Sequence, residues 1–366
     1  MRPLRIHWCA PRGDGNTKAS EKDLSSELNL DGMVDFAQEA EDMGIDSLLM
    51  GIGFHLPDPL PLIGALARET RKITFILAYR PGLLPPTLFA QVVNTISWMS
   101  NKRISLNIVA GISPDEQAYY GDYLQHDDRY RRTDEYLAVL HRFWRGDAPE
   151  REITHEGDFY KFTGAKLGLP YKDGERPRIY LSGASALAQQ TAIDAGDCWL
   201  RYGDTPEGIA TASRHVLEAG CDVGIRMHVL ARETREQALA EIEAMMQSPD
   251  EKHRENVREF VKNCDSEAVK TSFRLADQAS ANKDWLSPML WSGAVAYRGG
   301  PALCVVGSYR EVAQYLIEYK RAGVSEFIFS GWPTRGEMRR FCAHVLPLVR
   351  ELEAREGRRE ELALVV

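Results

Sequence analysis

The sequence predicts an α/β protein: a (β/α)8 TIM barrel with an insertion before the last strand. Two observations lead there. Strand-like and helix-like segments alternate along the chain, giving eight strands of which seven are followed directly by a helix, the pattern of parallel βαβ units. No GxGxxG follows the first strand, which turns the reading away from a doubly wound dinucleotide sheet, the alternative for the same alternation. The 366 residues, 44% of them apolar, supply a large core, and α/β barrels reach this length as one domain. Residues 1–366 are therefore read as a single domain.

The segments run in order. "LRIHWCAP" (4–11) is a strand, and "DGMVDFAQEAEDMG" (31–44) an amphipathic helix closed by Gly44. "SLLMGIG" (47–53) and "ITFILAYRP" (73–81) are strands, each followed by a helix, "LPLIGALARETR" (60–71) and "PTLFAQVVNTISWMS" (86–100), the latter with Pro at its start. "RISLNIVAG" (103–111) precedes the helix "RYRRTDEYLAVLHRFWRG" (129–146). "EITHEGDFYKFTGAKL" is a hairpin-like excursion. "RIYLSG" (178–183), "CWLRYG" (198–203) and a strand over 223–231 each lead into a helix, and "EFIFSG" (326–331) opens the last one.

One stretch breaks the rhythm. Between the seventh helix and the eighth strand only a turn is needed, yet residues 248–310 intervene. They include the helical "DEKHRENVREFVKN" and the loop "SPMLWSGAVAYRGGP". Long insertions of this kind act as lids or remain incidental elaborations, and the paired glycines after Arg298 suggest a hinge.

Composition narrows the function. A net charge of −8 and a pI near 5.7 argue against a nucleic-acid partner, which requires a basic face. No run approaches about eighteen apolar residues, and "MRPLRIHWCAPRGDG" has no apolar signal-peptide core. A cytoplasmic protein with no membrane partner is expected. The six cysteines show no CxxC or zinc spacing, so no metal site is expected and the thiols are read as reduced.

Barrel active sites sit at the C-terminal ends of the strands. In "GIRMHVL" (224–230), Arg226 and His228 are two residues apart and so project from one strand face, opposite Ile225, Met227 and Val229. Two such groups on one face are expensive to bury without a purpose, although a satisfied core pair reads the same way. The other strand ends and following loops contribute Trp8, His55, Arg80, Asn107, Ser182–Ser185, Tyr202 and Ser330–Trp332. The set is cationic, aromatic and hydrogen-bonding. It lacks the paired acids of a glycosidase, a GxSxG elbow and any HExxH, which points to a cofactor carrying the hard chemistry. "YLSGASALAQQ" ends a strand and opens a helix. Its Ser182, Gly183 and Ser185 suit a phosphate such as that of FMN, and a plain N-cap accounts for Ser185 equally well. "HDDRYRR", with His126 and Tyr130, reaches an anion or is a solvated charge cluster.

Together these motifs resemble the bacterial luciferase-like flavin monooxygenases. The resemblance rests on "PRGDG", "LAYRP", "LNIVAGISP", "HDDRYRRTDEY", "GAKL", "LSGAS", "YGDTPE", "GIRMHVLARET", "LWSGAVAYRGGPALCVVG" and "SGWP", and spans nearly the whole chain. The two longest are most similar to the alkanesulfonate monooxygenases. The resemblance implies FMN, used as FMNH2, with O2, acting through a flavin (hydro)peroxide. It implies a separate NAD(P)H-dependent flavin reductase as a transient partner, a small-molecule substrate, and a homo-oligomer (dimer or tetramer). By matching positions it implies Arg226, His228 and Arg298 as catalytic residues, with Arg298 on a mobile loop. It places Asn107, His126, Tyr130, Ser182, Gly183 and Ser185 at the cofactor, and Trp8, His55, Tyr202 and Trp332 at the substrate. An alkanesulfonate, converted to aldehyde and sulfite, is one candidate substrate. Another FMNH2-dependent hydroxylation, N-oxygenation or Baeyer–Villiger-type reaction, or F420-dependent dehydrogenation on the same barrel, is the alternative. Two departures bear on the substrate: Leu56 or a neighbour stands where the sulfonate enzymes carry a cysteine, and Trp332 where they carry a tyrosine. The residues themselves suggest that two arginines hold an anionic substrate group or a peroxide anion and that His228 assists proton transfer near neutral pH.

Overall fold

The computed structural model describes residues 2–16, 28–145, 151–246 and 251–364. The expected helix ends at Gly146 and Gln247, and the start of the insertion at 248–250, lie outside the described residues. Eight parallel strands form the barrel: β1 (Arg5–Cys9), β2 (Ser47–Met50), β3 (Thr74–Tyr79), β4 (Ile104–Val109), β5 (Ile179–Ser182), β6 (Cys198–Tyr202), β7 (Asp222–Arg232) and β8 (Glu326–Ser330). Each pairs with the next, and β8 pairs back onto β1, which closes the barrel.

The outer layer begins with α1 (Leu30–Asp42), α2 (Pro59–Glu69), α3 (Pro86–Ser100), a short α4 (Pro114–Tyr119) and α5 (His126–Phe143). It continues with α6 (Ala186–Ala195), α7 (Pro206–Glu218) and α8 (Arg235–Met245). Their starts are set locally. Asn29, Asp58 and Thr205 accept hydrogen bonds from the first turns of α1, α2 and α7, and Thr234 closes a capping box with Gln237 on α8. The predicted hairpin is Ile153–Glu156 paired with Lys161–Ala165.

Strand alternation sorts the side chains. One parity fills the lumen with Leu49, Ile76, Ala78, Tyr180, Cys198, Leu200 and Ile328. The other parity packs beneath the helices in the main core. The lumen floor is polar. Glu326, 1% exposed, accepts from Tyr180 Oη at 2.6 Å, lies 2.9 Å from His7 Nε2, and pairs with Arg178 and Arg5. Burial alone raises a carboxyl, but His7, Arg178 and Arg5 outweigh it and hold Glu326 down at about 2.

The stretch after α8 is more ordered than a simple lid. It holds α9 (Glu251–Asn263), α10 (Glu267–Ala279), a small hairpin (Trp285–Ser287 with Leu290–Trp291) and the one-turn α11 (Val295–Arg298). A ninth parallel strand, Cys304–Ser308, and α12 (Tyr309–Arg321) follow before β8; neither was legible in the sequence. The length of β7 has its reason here. It pairs with β6 as far as Arg226, and from His228 to Arg232 the strand Cys304–Ser308 takes over that edge. After β8 come α13 (Thr334–Arg340) and, beyond a π-turn, α14 (Leu346–Leu364).

The turn between α9 and α10 is bolted across the mouth. Arg129 (1% exposed) donates to Asp265 at 2.6 Å and to the carbonyls of Ala110 and Leu124. Cys264 Sγ meets the Ile112 carbonyl at 2.9 Å.

Removing one member of a buried charge network strands the others. Glu326→Ala is expected to cost about 3–5 kcal/mol of unfolding free energy in denaturant titrations. A loss below about 1 kcal/mol would show that the floor is not held by this carboxylate.

Candidate active site

A cavity of about 280 Å³ opens at the C-terminal ends of the strands. Its walls are largely apolar: Leu49, Ile52, Ala78, Val109, Ile112 and Leu200. Its polar groups converge from the ends of β3 to β7 as Arg80, Asn107, Ser182, Arg201, Tyr202 and Arg226, joined by Tyr130 from α5 and Ser266 from the turn before α10. Apolar walls with a few placed donors are the usual form of a cofactor site.

Asn107 and Ser182 lie side by side because β4 and β5 pair with Val109 opposite Ser182. Ser182 Oγ donates to Asn107 Oδ1 at 2.6 Å. The carbonyl end of Asn107 is thereby satisfied and its amide NH2 is left to donate into the cavity. Gly183 follows in a left-handed conformation, φ +146°, and a Cβ there would lie 2.6 Å from both Tyr130 Oη and Ala188 Cβ. Only glycine fits, and it lets the chain pass close beneath Tyr130 to the start of α6. Ser185 caps α6 through the Ala188 N–H at 3.1 Å and does not line the cavity.

Tyr202 is opposite Arg226 in the β6–β7 ladder, and its ring abuts Gly300, where a Cβ would lie 2.8 Å from it. Burial pushes its phenol up, with the Arg226 charge opposing. The Arg226 guanidinium is desolvated, which disfavours its charge, yet Cys9, to which it is hydrogen-bonded, and Tyr202 hold it above the usual range.

His228, 8% exposed, follows Arg226 on β7 and is not among the residues lining the cavity. Its ring stacks on Trp332 with centroids 4.1 Å apart and planes 13° from parallel. Nδ1 is 2.9 Å from the Pro301 carbonyl and Nε2 is 2.7 Å from Ser330 Oγ. A carbonyl only accepts, so Nδ1 carries the proton and Nε2 receives the Ser330 hydroxyl. Burial above all, with Arg226 and Arg298 adding repulsion, pushes the imidazole down to about 3. This corrects the expectation of an acid–base titrating near neutral pH: at pH 7 the ring is neutral and both nitrogens are engaged.

Arg298 ends α11 at the rim, exposed, with Gly299 behind it at φ +83°. It does not line the cavity, but its charge reaches His228. Among the described residues neither Arg226 nor Arg298 has a carboxylate partner. The arginines around them differ: Arg80, Arg129, Arg132, Arg201 and Arg232 each pair with one.

Five further expected site residues do not line the cavity: Trp332, which stacks on His228, and the four that follow. Trp8 has the outward parity of β1, is fully buried, and packs on Phe329 and Phe341 beneath the helices; Cys9, its neighbour, is the one that turns inward. His55 is exposed in a rim cluster with Phe54 and Tyr119. His126 sits at the start of α5, held by Asp127 and resting on Tyr130, outside the cavity. Ser185 is the helix cap described above. The sequence did not reveal the mouth-closing pair Arg129–Asp265, nor the contribution of Ser266 and Ala268 to the cavity wall, because both depend on contacts more than a hundred residues apart.

A closed parallel barrel whose mouth carries a cavity of apolar walls with converging cationic and hydrogen-bonding groups defines a TIM-barrel protein with a ligand site at the C-terminal ends of its strands. The chain belongs to the luciferase-like monooxygenase family, whose model matches residues 4–326. Solved structures of similar fold include DmoA from Hyphomicrobium sulfonivorans (TM-score 0.79, 18% identity, covering 96% of this chain and 89% of that one). EDTA monooxygenase (EmoA) from Chelativorans sp. BNC1 is similar at TM-score 0.77 and 18% identity, over 96% and 94% of the two chains. The oxygenating constituent of 3,6-diketocamphane monooxygenase from the CAM plasmid of Pseudomonas putida, in complex with FMN, matches at TM-score 0.69 and 16% identity, over 94% and 99%. Among the described residues no helix is long and apolar enough to cross a membrane.

A histidine whose folded value lies at about 3 against 6.5 unfolded binds its proton only when the chain unfolds. Its contribution to stability is complete above pH 6.5 and is lost as pH falls towards 3, at up to about 1.4 kcal/mol per pH unit. His228→Gln should therefore lose less stability than the parent between pH 7 and pH 4.5 in parallel denaturant titrations; equal losses would show a normally titrating ring. Gly183→Ala should weaken FMN binding on the order of tenfold or more by fluorescence titration, since the added methyl collides with Tyr130 and α6; unchanged binding would remove this loop from the cofactor site.

Proposed function

We propose that this protein is the oxygenating component of a two-component FMNH2- and O2-dependent monooxygenase, supplied with reduced flavin by a separate NAD(P)H-dependent reductase and acting on a small organic anion. The observation that carries this reading is Arg226, which lines the cavity and has no carboxylate partner among the described residues. A cation taken out of water with no partner is costly, and an anionic substrate group repays that cost through charge-assisted bonds.

The residues present fit FMN. The glycine at position 183, obligatory for steric reasons, and the start of α6 with Ser182 form a phosphate-sized anion site. The free Asn107 amide and the apolar walls suit the ring system. When bound, reduced FMN supplies the two electrons that allow O2 to give one oxygen atom to substrate and the other to water. The protein's own part is to bind, orient and keep dry. Arg226 holds the substrate anion. The Ser330 hydroxyl donates to Nε2 of a ring fixed through Pro301 and Trp332, which leaves its oxygen to accept a hydrogen bond from the substrate. Arg298 and the segment clamped by Arg129 cover the mouth and limit water. Alkanesulfonates and alkyl carboxylates both meet these requirements.

The test is anaerobic titration with FMNH2 and with FMN, then an oxygen pulse with a panel of sulfonates and carboxylates and mass analysis of the products, sulfite included. Tighter binding of the reduced form and oxygen transfer to at least one anion are expected. Arg226→Ala should lower kcat/KM on the order of 100-fold with the fold intact by circular dichroism. Normal turnover by this variant, with reductase supplied, would overturn the assignment.

A further inference from the structure

Oxygen transfer that also makes water needs a proton moved, and the cavity holds few groups able to move one. Among the residues that line it there is no carboxylate, imidazole, thiol or ammonium group. Its ionisable side chains are Arg80, Arg201, Arg226, Tyr130 and Tyr202. A guanidinium in a protein does not give up its proton. The two phenols remain, and they differ. Tyr130 is hydrogen-bonded to Ser185 and its Oη lies against Gly183, at the start of α6. Tyr202 stands at the end of β6, half-buried, and among the described residues its Oη has no hydrogen-bond partner.

The ring of Tyr202 is held in place. Register sets it opposite Arg226 in the β6–β7 ladder, so phenol and guanidinium share one face. The turn at Gly300 abuts the ring, where a Cβ would stand 2.8 Å from one ring carbon and 2.9 Å from the next. The titratable groups facing the phenol are Arg226 from β7, Cys9 from β1 and Cys264 from the turn before α10. Arg226 is the cation among them, and it favours the phenolate that a departing proton leaves behind. Burial acts the other way and outweighs it, so at neutral pH the phenol keeps its proton.

Resting on the functional reading above, we infer that Tyr202 is a catalytic residue, the proton donor of the cavity. Substrate, O2 and FMNH2 become oxygenated substrate, water and FMN. The two protons that end in water equal the two that reduced flavin gives up, and Tyr202 carries one of them between the two places. As the bond between the oxygen atoms breaks, Oη gives its proton to the oxygen bound for water. The phenolate, beside Arg226, then takes up a proton that the flavin has released, and no net proton is consumed. His228 does not fill this role: it is neutral, engaged at both nitrogens and off the cavity wall.

The test uses the full chain with FMN, a flavin reductase and whichever sulfonate or carboxylate the parent oxygenates fastest. Tyr202→Phe keeps the ring and its packing on Gly300. It should lower kcat on the order of 100-fold, with KM and the FMN dissociation constant within about twofold of the parent. The protonated phenol is the active form, so parental kcat should fall only as pH rises above 10. Difluorotyrosine placed at position 202, with a more acidic phenol, should bring that fall to lower pH. A readout without turnover is carbon NMR of ring-labelled tyrosine in the protein without flavin, assigned with the Phe variant. There the Tyr202 midpoint should rise when Arg226→Gln removes the charge that opposes burial. Parental kcat in Tyr202→Phe, a pH profile indifferent to fluorination, or a midpoint indifferent to Arg226→Gln would each overturn this assignment and leave the proposed function standing. If the parent oxygenates no anion of the panel, the proposed function and this assignment fall together.

Discussion

A guanidinium with no carboxylate partner among the described residues, set by a strand on the wall of the cavity at the barrel mouth, is the constraint from which the site follows. Strand β7 places Arg226 between Tyr202 and Ile328 on the neighbouring strands, so its side chain shares their face of the sheet. Elsewhere around the mouth the same chain neutralises its arginines with nearby acids. Five ion pairs build the rim, and Arg226 and Arg298 are left over. In a low-dielectric setting the difference is large: a neutralised pair is scaffold, while an unneutralised cation attracts an anion from solution. The neutrality of His228 is a consequence of the same field, added to burial.

The barrel itself was legible because its signal is local. The eight strands and the helices that follow them lie close to where apolar alternation and caps placed them, except that the last helix is interrupted by a π-turn and runs on to Leu364, beyond the expected end at Arg355. What escaped was of two kinds. Cys304–Ser308 is a short apolar run inside a stretch expected to be a lid, and nothing in "CVVGS" announces that β7 offers a free edge beyond Arg226. The Arg129–Asp265 clamp joins residues far apart in sequence, and no period encodes it.

The candidate site shows the same division. Parity placed Arg226 and His228 on one face correctly, and Asn107, Ser182 and Gly183 meet at one cavity. Parity applied without its zero point put Trp8 in the lumen. One residue of offset exchanges every inward and outward side chain, and the indole packs under α13 while the thiol beside it turns in. His55 and His126 were drawn in by their places after β2 and at the start of α5 and by the family resemblance, and neither lies on the wall of the cavity.

The polar plug around Glu326 has a consequence for traffic. With carboxylate, imidazole, phenol and guanidinium locked together across the opposite end of the lumen, nothing passes through the axis of the molecule. Entry and departure share one doorway. Whatever occupies the cavity is therefore approached from the mouth, the end where the strand termini and the segment held by Arg129 lie.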